Sequence, residues 1–231
     1  MLIAEDLLLL VTDDETGKVT VGSGQVDVAL GGANLVELAA MDKVDLTREG
    51  DDGKAGRIVV RDPAPVGDPV LDAALEILTQ HQGKKPSAVI SPLSKKLRDA
   101  LYASLVEKGI LRADQGKILG IFPTRRWPAE DAHHEAEVRR LITQTLVQGT
   151  TPDVRTAALV SLLHALRSEH MIADPKQNGI AKKELQARAK KIAEGSWGSE
   201  AVRKAVDEMM AAVTVATMVA TTAAIGAAGG S

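Results

Sequence analysis

The residues in this chain best suited to chemistry are cations. Lys95, Lys96 and Arg98 fall within four positions and open a stretch that reads as a helix over Lys95–Lys108, capped by Ser94. On such a helix Lys95 and Arg98 share a face near the first turn. A phosphate there gains from side chains and free backbone N–H groups together. Lys96, Arg125 and Arg126 add supporting charge, and Gly31 offers backbone N–H groups at the start of an apolar helix read over Ala33–Met41. Ten basic and three acidic residues lie between Lys84 and Arg126, a local excess of +7 in a chain whose net charge is -3. Such polarity presents one anion-seeking region on an otherwise acidic molecule. The competing reading is an ordinary solvated helix face.

Other chemistries are poorly supplied. Cysteine is absent, which removes disulfides, thiolate metal sites and Cys nucleophiles and fits a reducing, cytoplasmic setting. The histidines His81, His133, His134, His164 and His170 lack metal-ligand spacing, and His164, inside the apolar run Leu162–Leu166, reads as a hydrogen-bonded core residue. No nucleophile elbow, P-loop or dinucleotide fingerprint is present, and Gly22-Ser23-Gly24 and Gly31-Gly32 are too short for a nucleotide loop. The carboxylate pairs Glu5–Asp6 and Asp13–Asp14 suit capping and turn roles better than acid–base work. The expectation is a protein with no catalytic residue, no metal site and no cofactor.

The elements that must carry the cations are mostly helical. The four aromatics make up 2% of 231 residues, so the core is built from Leu, Val, Ile and Ala. In the first half the chain reads as a helix or strand start over Met1–Val11, a turn at Asp13–Gly17, a short strand at Lys18–Val21 and a loop at Gly22–Gly24. Strands at Lys43–Leu46 and Arg57–Val60 succeed the helix Ala33–Met41. An internal linker at 62–69 leads to an amphipathic helix from Pro69 to His81. Gly109 stops the basic helix before a β-hairpin of Ile110–Arg112 and Ile118–Phe122. The second half reads as helices over Ala129–Gln148, Val154–Glu169 and Ala181–Ala193, with an Ala-rich helix from Glu200 to about Ile225. That last helix has small residues suited to close packing in a core rather than to a bilayer. The N-terminal apolar stretch lacks a basic flank, so no secretory signal is expected. The fold class expected is mainly α: a single globular domain over 1–231 around a buried Ala-rich helix, with small β-hairpins in the N-terminal half.

Four blocks then carry a resemblance. Ala4-Glu5-Asp6-Leu7-Leu8-Leu9-Leu10, Leu30-Gly31-Gly32-Ala33-Asn34-Leu35-Val36-Glu37-Leu38-Ala39, Leu105-Val106-Glu107-Lys108-Gly109-Ile110-Leu111 and Val160–Ala165 resemble, in order and spacing, segments of the Golgi phosphoprotein 3 family. The resemblance implies a helical fold around a buried apolar helix. It also implies a peripheral membrane protein that binds phosphatidylinositol 4-phosphate and recruits protein clients. The family's pair of headgroup arginines falls on Lys95 and Arg98. Its loop arginine falls on Gly31 and its tryptophan near Gly22, so the phosphatidylinositol 4-phosphate-like site is only partly retained. The hairpin corresponds to one used for membrane contact or self-association, here with Ile118, Leu119, Ile121 and Phe122 followed by Trp127. Inward packing of Ile118 and Phe122 is the alternative.

Taken together, the sequence points to an adaptor-like protein at membrane surfaces that binds anionic phospholipid headgroups. Its partners would be a membrane surface, protein clients and further copies of the chain; the composition suggests a bacterial source. The rival is a winged-helix-like DNA-binding regulator using helix 94–108 and hairpin 111–122. It is weakened by the lack of an Asn, Gln and Arg set for base reading, so nucleic acid is not the expected partner.

Overall fold

The first helix, α1 (Ile3–Leu10), has all eight residues buried, Glu5 and Asp6 among them. Its unbroken run Leu7–Leu10 has no polar face to turn outward, so the helix is stable only with neighbours on every side. Those neighbours are α2 (Ser23–Ala40), α5 (Leu97–Glu107), α6 (His133–Thr143) and α7 (Val154–Ala165). The computed structural model describes all residues except 14, 15, 52, 119–121, 128, 129, 196–210, 212, 216 and 220–231, with backbone alone for 114–118 and 122–126.

Helix α2 differs from the expected loop at Gly22–Gly24 and helix start at Ala33. It is one helix of 18 residues with Gly22 as its N-cap and Gly31-Gly32 in its interior. Glycine costs about 1 kcal/mol in a helix relative to alanine, which is why the pair reads as a break. Tertiary packing overrides that preference. A Cβ built on Gly31 would lie 2.6 Å from Ser94 Oγ and 3.0 Å from the Ile90 carbonyl oxygen. One on Gly32 would lie 2.1 Å from Val213 Cγ1. The two glycines are points of close helix approach.

After α2, β1 (Val44–Leu46) and β2 (Ile58–Val60) pair antiparallel, with Val44 opposite Val60. The expected strand Lys18–Val21 is reduced to an isolated bridge between Thr12 and Val19. The 62–68 stretch is tied back by Lys43, whose ammonium donates to Asp62 Oδ2 (2.5 Å) and to the Ala64 carbonyl (2.8 Å). Helix α3 (Pro69–Gln80) starts where sequence places it: Pro69 sits at its first turn and Asp68 Oδ1 accepts from the Val70 N–H at 2.9 Å.

The expected helix Lys95–Lys108 is cut in two. A helix hidden in the sequence, α4 (Pro86–Ser94), ends at Ser94, whose hydroxyl donates to the Ile90 carbonyl (2.7 Å) instead of capping the next helix. Lys96 then takes a left-handed conformation (φ 60°), and α5 begins only at Leu97. Pro86 and Pro92 within α4 mask it in the sequence.

The hairpin forms later than its spacing predicts. β3 (Asp114–Ile118) and β4 (Phe122–Arg126) pair from Asp114–Arg126 to Ile118–Phe122, so the expected turn at Ala113–Gly116 contributes to a strand instead. Leu119 and Ile121 lie outside the described residues.

Helix α6 continues into a π-helical turn, Gln144–Gln148, closed by Gly149 at φ 75°. Helix α7 is capped by Asp153, whose carboxylate accepts from the Thr156 N–H at 2.7 Å, and precedes α8 (Glu169–Ile172) and α9 (Lys182–Ala193). The expected continuation of α7 to Glu169 is interrupted at Arg167, with φ 55°. Residues 211, 213–215 and 217–219 are helical. Val213 and Thr217 are fully buried there, while Val215 and Val219 are 62% and 64% exposed. The described part of the Ala-rich helix is thus covered on one face, whereas α1 is buried all round. One continuous apolar core runs from Leu2 to Val213, giving a mainly α fold with two small antiparallel pairs.

Burying Glu5 and Asp6 demands partners, because an uncompensated buried carboxylate is costly. Glu5 accepts from the Leu2 N–H (2.8 Å), the Ser104 hydroxyl (2.7 Å) and the Lys108 ammonium (2.5 Å). Asp6 accepts from His134 Nε2 (2.7 Å) and Arg155 Nε (2.7 Å). Burial works to raise the Glu5 pKa, but the hydrogen bonds from Lys108, Leu2 and Ser104 and the Lys108 charge outweigh it. They hold the carboxyl below its usual range. A depressed folded-state pKa means stability that is present above the unfolded glutamate value and lost as pH falls through the folded one. Lys108→Met should cost about 2–3 kcal/mol at neutral pH, the lower end of a broken buried pair because Lys108 is partly exposed. The deficit should shrink in acid, where the orphaned Glu5 is neutral. Urea unfolding at pH 7 and pH 4 checks this; an equal loss at both would contradict it.

Candidate anion-binding site

The corner between α4 and α5 turns the two lysines outward. Lys95 is the extended C-cap of α4 and Lys96 the left-handed N-cap of α5. Holding a non-glycine residue in that region costs of order 1 kcal/mol, accepted because the flanking helices are fixed by their own packing. Both lysines are exposed, and neither has a carboxylate partner among the described residues.

Arg98 is placed differently. Its Nε lies 3.0 Å from Asp27 Oδ1 and its Nη2 donates to Asp27 Oδ2 at 3.1 Å, a two-pronged bridge from α5 to α2. Burial pushes the Asp27 carboxyl up and the neighbouring Asp99 adds to that, while the Arg98 guanidinium opposes both. Lys95 and Arg98 therefore do not share a helix face: Lys95 precedes α5, and Arg98 is a strut already holding an anion. Gly31 offers no helix-start donors, since it lies in the interior of α2 with its backbone inside the helical ladder.

The hairpin residues divide similarly. Ile118 pairs with Phe122, and Arg125 and Arg126 pair with Gln115 and Asp114 along the ladder. Leu119 is outside the described residues. Trp127 is not free to reach a membrane. Its ring stacks on Tyr102 of α5, centroids 4.8 Å apart and planes within 5°, and it packs half-buried against the core. A Cβ on Gly17 would fall 2.1 Å from the Trp127 backbone nitrogen, so the turn at 13–17 closes on the hairpin's exit.

The remaining titratable groups serve the framework. His134 bonds Asp6, and the Asp13 carboxylate accepts from the Thr16 N–H and hydroxyl within its turn. His164 departs from the hydrogen-bonded role expected of it: its Nδ1 is 3.7 Å from Glu169 Oε1, beyond hydrogen-bond reach. Among the described residues no group of three His, Asp or Glu side chains could hold a metal ion. Two residues of the corner escape sequence reasoning. Asp27 gives no signal, being one acid among many. Asn34 does give one, as the single polar side chain in ALGGANLV; it is buried at 1% exposure with no partner for its oxygen.

The family model for Golgi phosphoprotein 3 (GPP34) matches residues 3–209, from α1 through the end of α9 and beyond. The chain belongs to the Golgi phosphoprotein 3 family. It is also similar to vacuolar protein sorting-associated protein 74 of Eremothecium gossypii, at 25% identity over 165 residues covering 63% of this chain and 49% of that protein. The chain thus spans about half the length of this curated relative.

Within this Golgi phosphoprotein 3 chain, the glycines on which the resemblance sets the headgroup arginine and tryptophan have packing and capping roles. Gly31→Ala should destabilise the fold by about 1–3 kcal/mol, because the new methyl meets the Ile90 backbone and overpacks the α2–α4 contact. Gly24→Ala on the same helix meets nothing within 4 Å and should be neutral or slightly stabilising. Thermal unfolding of the pair checks this; equal effects would show that helix propensity, not close approach, governs both sites.

Proposed function

We propose that this chain is a peripheral membrane adaptor that engages anionic phospholipid headgroups at the α4–α5 corner. The observation that carries the reading is the pair Lys95 and Lys96, exposed, without carboxylate partners among the described residues and within a segment with a net charge of +7. Two ammonium groups in that setting gain from a phosphate-rich surface at about 1 kcal/mol each. Arg98 braces the corner through its bridge to Asp27, and Arg125 and Arg126 lie on the hairpin that follows α5. On the family resemblance the hairpin would supply contact with the bilayer or with a second copy of the chain, and Trp127, stacked on Tyr102, would fix its base. Family membership supports the peripheral mode of attachment, and the name of the Eremothecium gossypii relative, which associates that protein with vacuolar protein sorting, supports an adaptor that recruits protein clients. Among the described residues no helix is long and apolar enough to cross a membrane, which agrees with attachment from one side.

With glycine at positions 22 and 31, the reading is of an anionic site without strong preference for phosphatidylinositol 4-phosphate. It suits a cytoplasmic, and on composition bacterial, setting. The nucleic-acid alternative gains no support. The exposed positions of α5 after Arg98 are Asp99, Ala100, Ala103 and Glu107, which form no row of cations to track a phosphate backbone.

Cosedimentation with phosphatidylcholine vesicles, with and without an anionic phospholipid, tests this. Binding should require the anionic lipid and fall with salt, and Lys95→Ala/Lys96→Ala should weaken it by about 2 kcal/mol, roughly 30-fold. Phosphatidylinositol 4-phosphate should exceed other anionic lipids by only a few-fold at equal charge. Equal binding to neutral vesicles, or an unaffected double variant, would contradict the proposal.

A further inference from the structure

Behind the lysine corner lies a groove of about 430 Å³ between α3 and α5, with α2 behind it. That volume is within the range of small-molecule sites. Its walls are mostly apolar, with Ala74 and Ile77 from α3 and Leu97, Ala100 and Ala103 from α5, and with Ser104 as a polar group toward the Glu107 end. Lys95 and Lys96 stand at one end and Glu107 at the other, so the groove runs along α5 for eleven positions, or about 16 Å.

Asn34 lines the same groove. Its side-chain oxygen is buried with no hydrogen-bond partner, and a buried unsatisfied amide is costly enough that native proteins seldom leave one without a reason. Gly31, one helical turn earlier, touches Ser94, the residue before Lys95, and Asn34 follows it along the α2 wall of the groove. The groove therefore combines three features: two cations at one end, an acceptor lacking a donor on its α2 wall, and an apolar channel that ends beside a carboxylate.

We infer that this groove binds a single-chain anionic lipid, a lysophospholipid. Its phosphate would sit at Lys95 and Lys96, its free glycerol hydroxyl would donate to Asn34 Oδ1, and its acyl chain would lie between α3 and α5. Such a molecule carries a phosphate, a hydroxyl and a hydrocarbon chain, one group for each of these features. Glu107 at the far end opposes the reverse orientation. A peptide helix fits poorly: a cylinder about 10 Å across and 16 Å long occupies roughly 1,200 Å³, more than the groove holds. An extended peptide would bury backbone groups among alanines, whereas a hydrocarbon chain has no polar groups to satisfy. The inference rests on the headgroup reading only for the phosphate; the groove and Asn34 are independent of it.

Isothermal titration with lauroyl lysophosphatidic acid below its micellar concentration, beside glycerol 3-phosphate and dodecyl phosphate, tests the inference. The lysolipid should bind at least about tenfold tighter than glycerol 3-phosphate, since most of its chain leaves water. Ala100→Trp, at an exposed helix position, should abolish that advantage while leaving the melting temperature and vesicle binding unchanged. Asn34→Leu should weaken the lysolipid about tenfold without weakening dodecyl phosphate, which has no hydroxyl, and should leave the fold as stable or more so. Failure of the lysolipid to exceed glycerol 3-phosphate, equal binding of zwitterionic lauroyl lysophosphatidylcholine, or indifference to both variants would overturn it. If vesicle binding still depends on Lys95 and Lys96 in that event, the headgroup reading stands alone.

Discussion

The structure depends on two carboxylates in the first turn of a helix that has no exposed face. Glu5 and Asp6 belong to α1, and leaving either without partners would cost several kcal/mol. Their partners come from three other helices: Ser104 of α5 with Lys108 just beyond it, His134 of α6 and Arg155 of α7. Glu37 of α2 joins the same network, accepting from the Ile3 N–H and facing Arg155 at 3.6 Å; burial holds its carboxyl above the usual range. Apolar contact alone would let these helices slide around α1. Directional bonds to fixed carboxylates allow one arrangement, so the polar network sets the geometry that the hydrophobic core then stabilises.

That arrangement reaches the lysine corner through α5. The C-terminal end of the helix is tied to α1 by Ser104 and Lys108, and its N-terminal end to α2 by the Arg98–Asp27 bridge. Meanwhile α4 approaches α2 closely at Gly31. With both helices fixed, the two residues between them must reverse the chain, and Lys96 is held left-handed with both lysines pointing to solvent. The cationic corner is a product of helix packing rather than of a local motif. The same geometry opens the groove between α3 and α5, because alanines at positions 74, 100 and 103 leave space where larger side chains would close it.

How much of this is legible in the sequence depends on where local and tertiary effects agree. Helix α3 can be read directly, since Asp68, Pro69 and the stripe Leu71, Leu75 and Leu78 all favour it. The cationic segment is legible too, because charge counts need no geometry. Gly31-Gly32 misleads in the opposite sense: an intrinsic helix breaker is kept for the contact it permits with α4 and Val213. Prolines hide α4, and the break at Lys96 has no glycine or asparagine to announce it. The pairing of Arg98 with Asp27, 71 positions away, is a long-range fact that residue spacing cannot encode. Trp127 likewise reads as an interfacial aromatic in the sequence, whereas in the fold the ring of Tyr102 lies beneath it.

A second basic surface exists on α9, with Lys182, Lys183, Lys190 and Lys191, and it offers anions an ordinary charged helix face. On the proposed function the α4–α5 corner, not bulk positive charge, is the anion site. Lysine side-chain NMR during titration with a soluble, short-chain phosphatidic acid tests this most directly. The account expects the Lys95 and Lys96 ammonium signals to shift first and to saturate together, with those of α9 moving later and without saturation. Shifts that appear first on α9, or that spread evenly over all lysines, would contradict it.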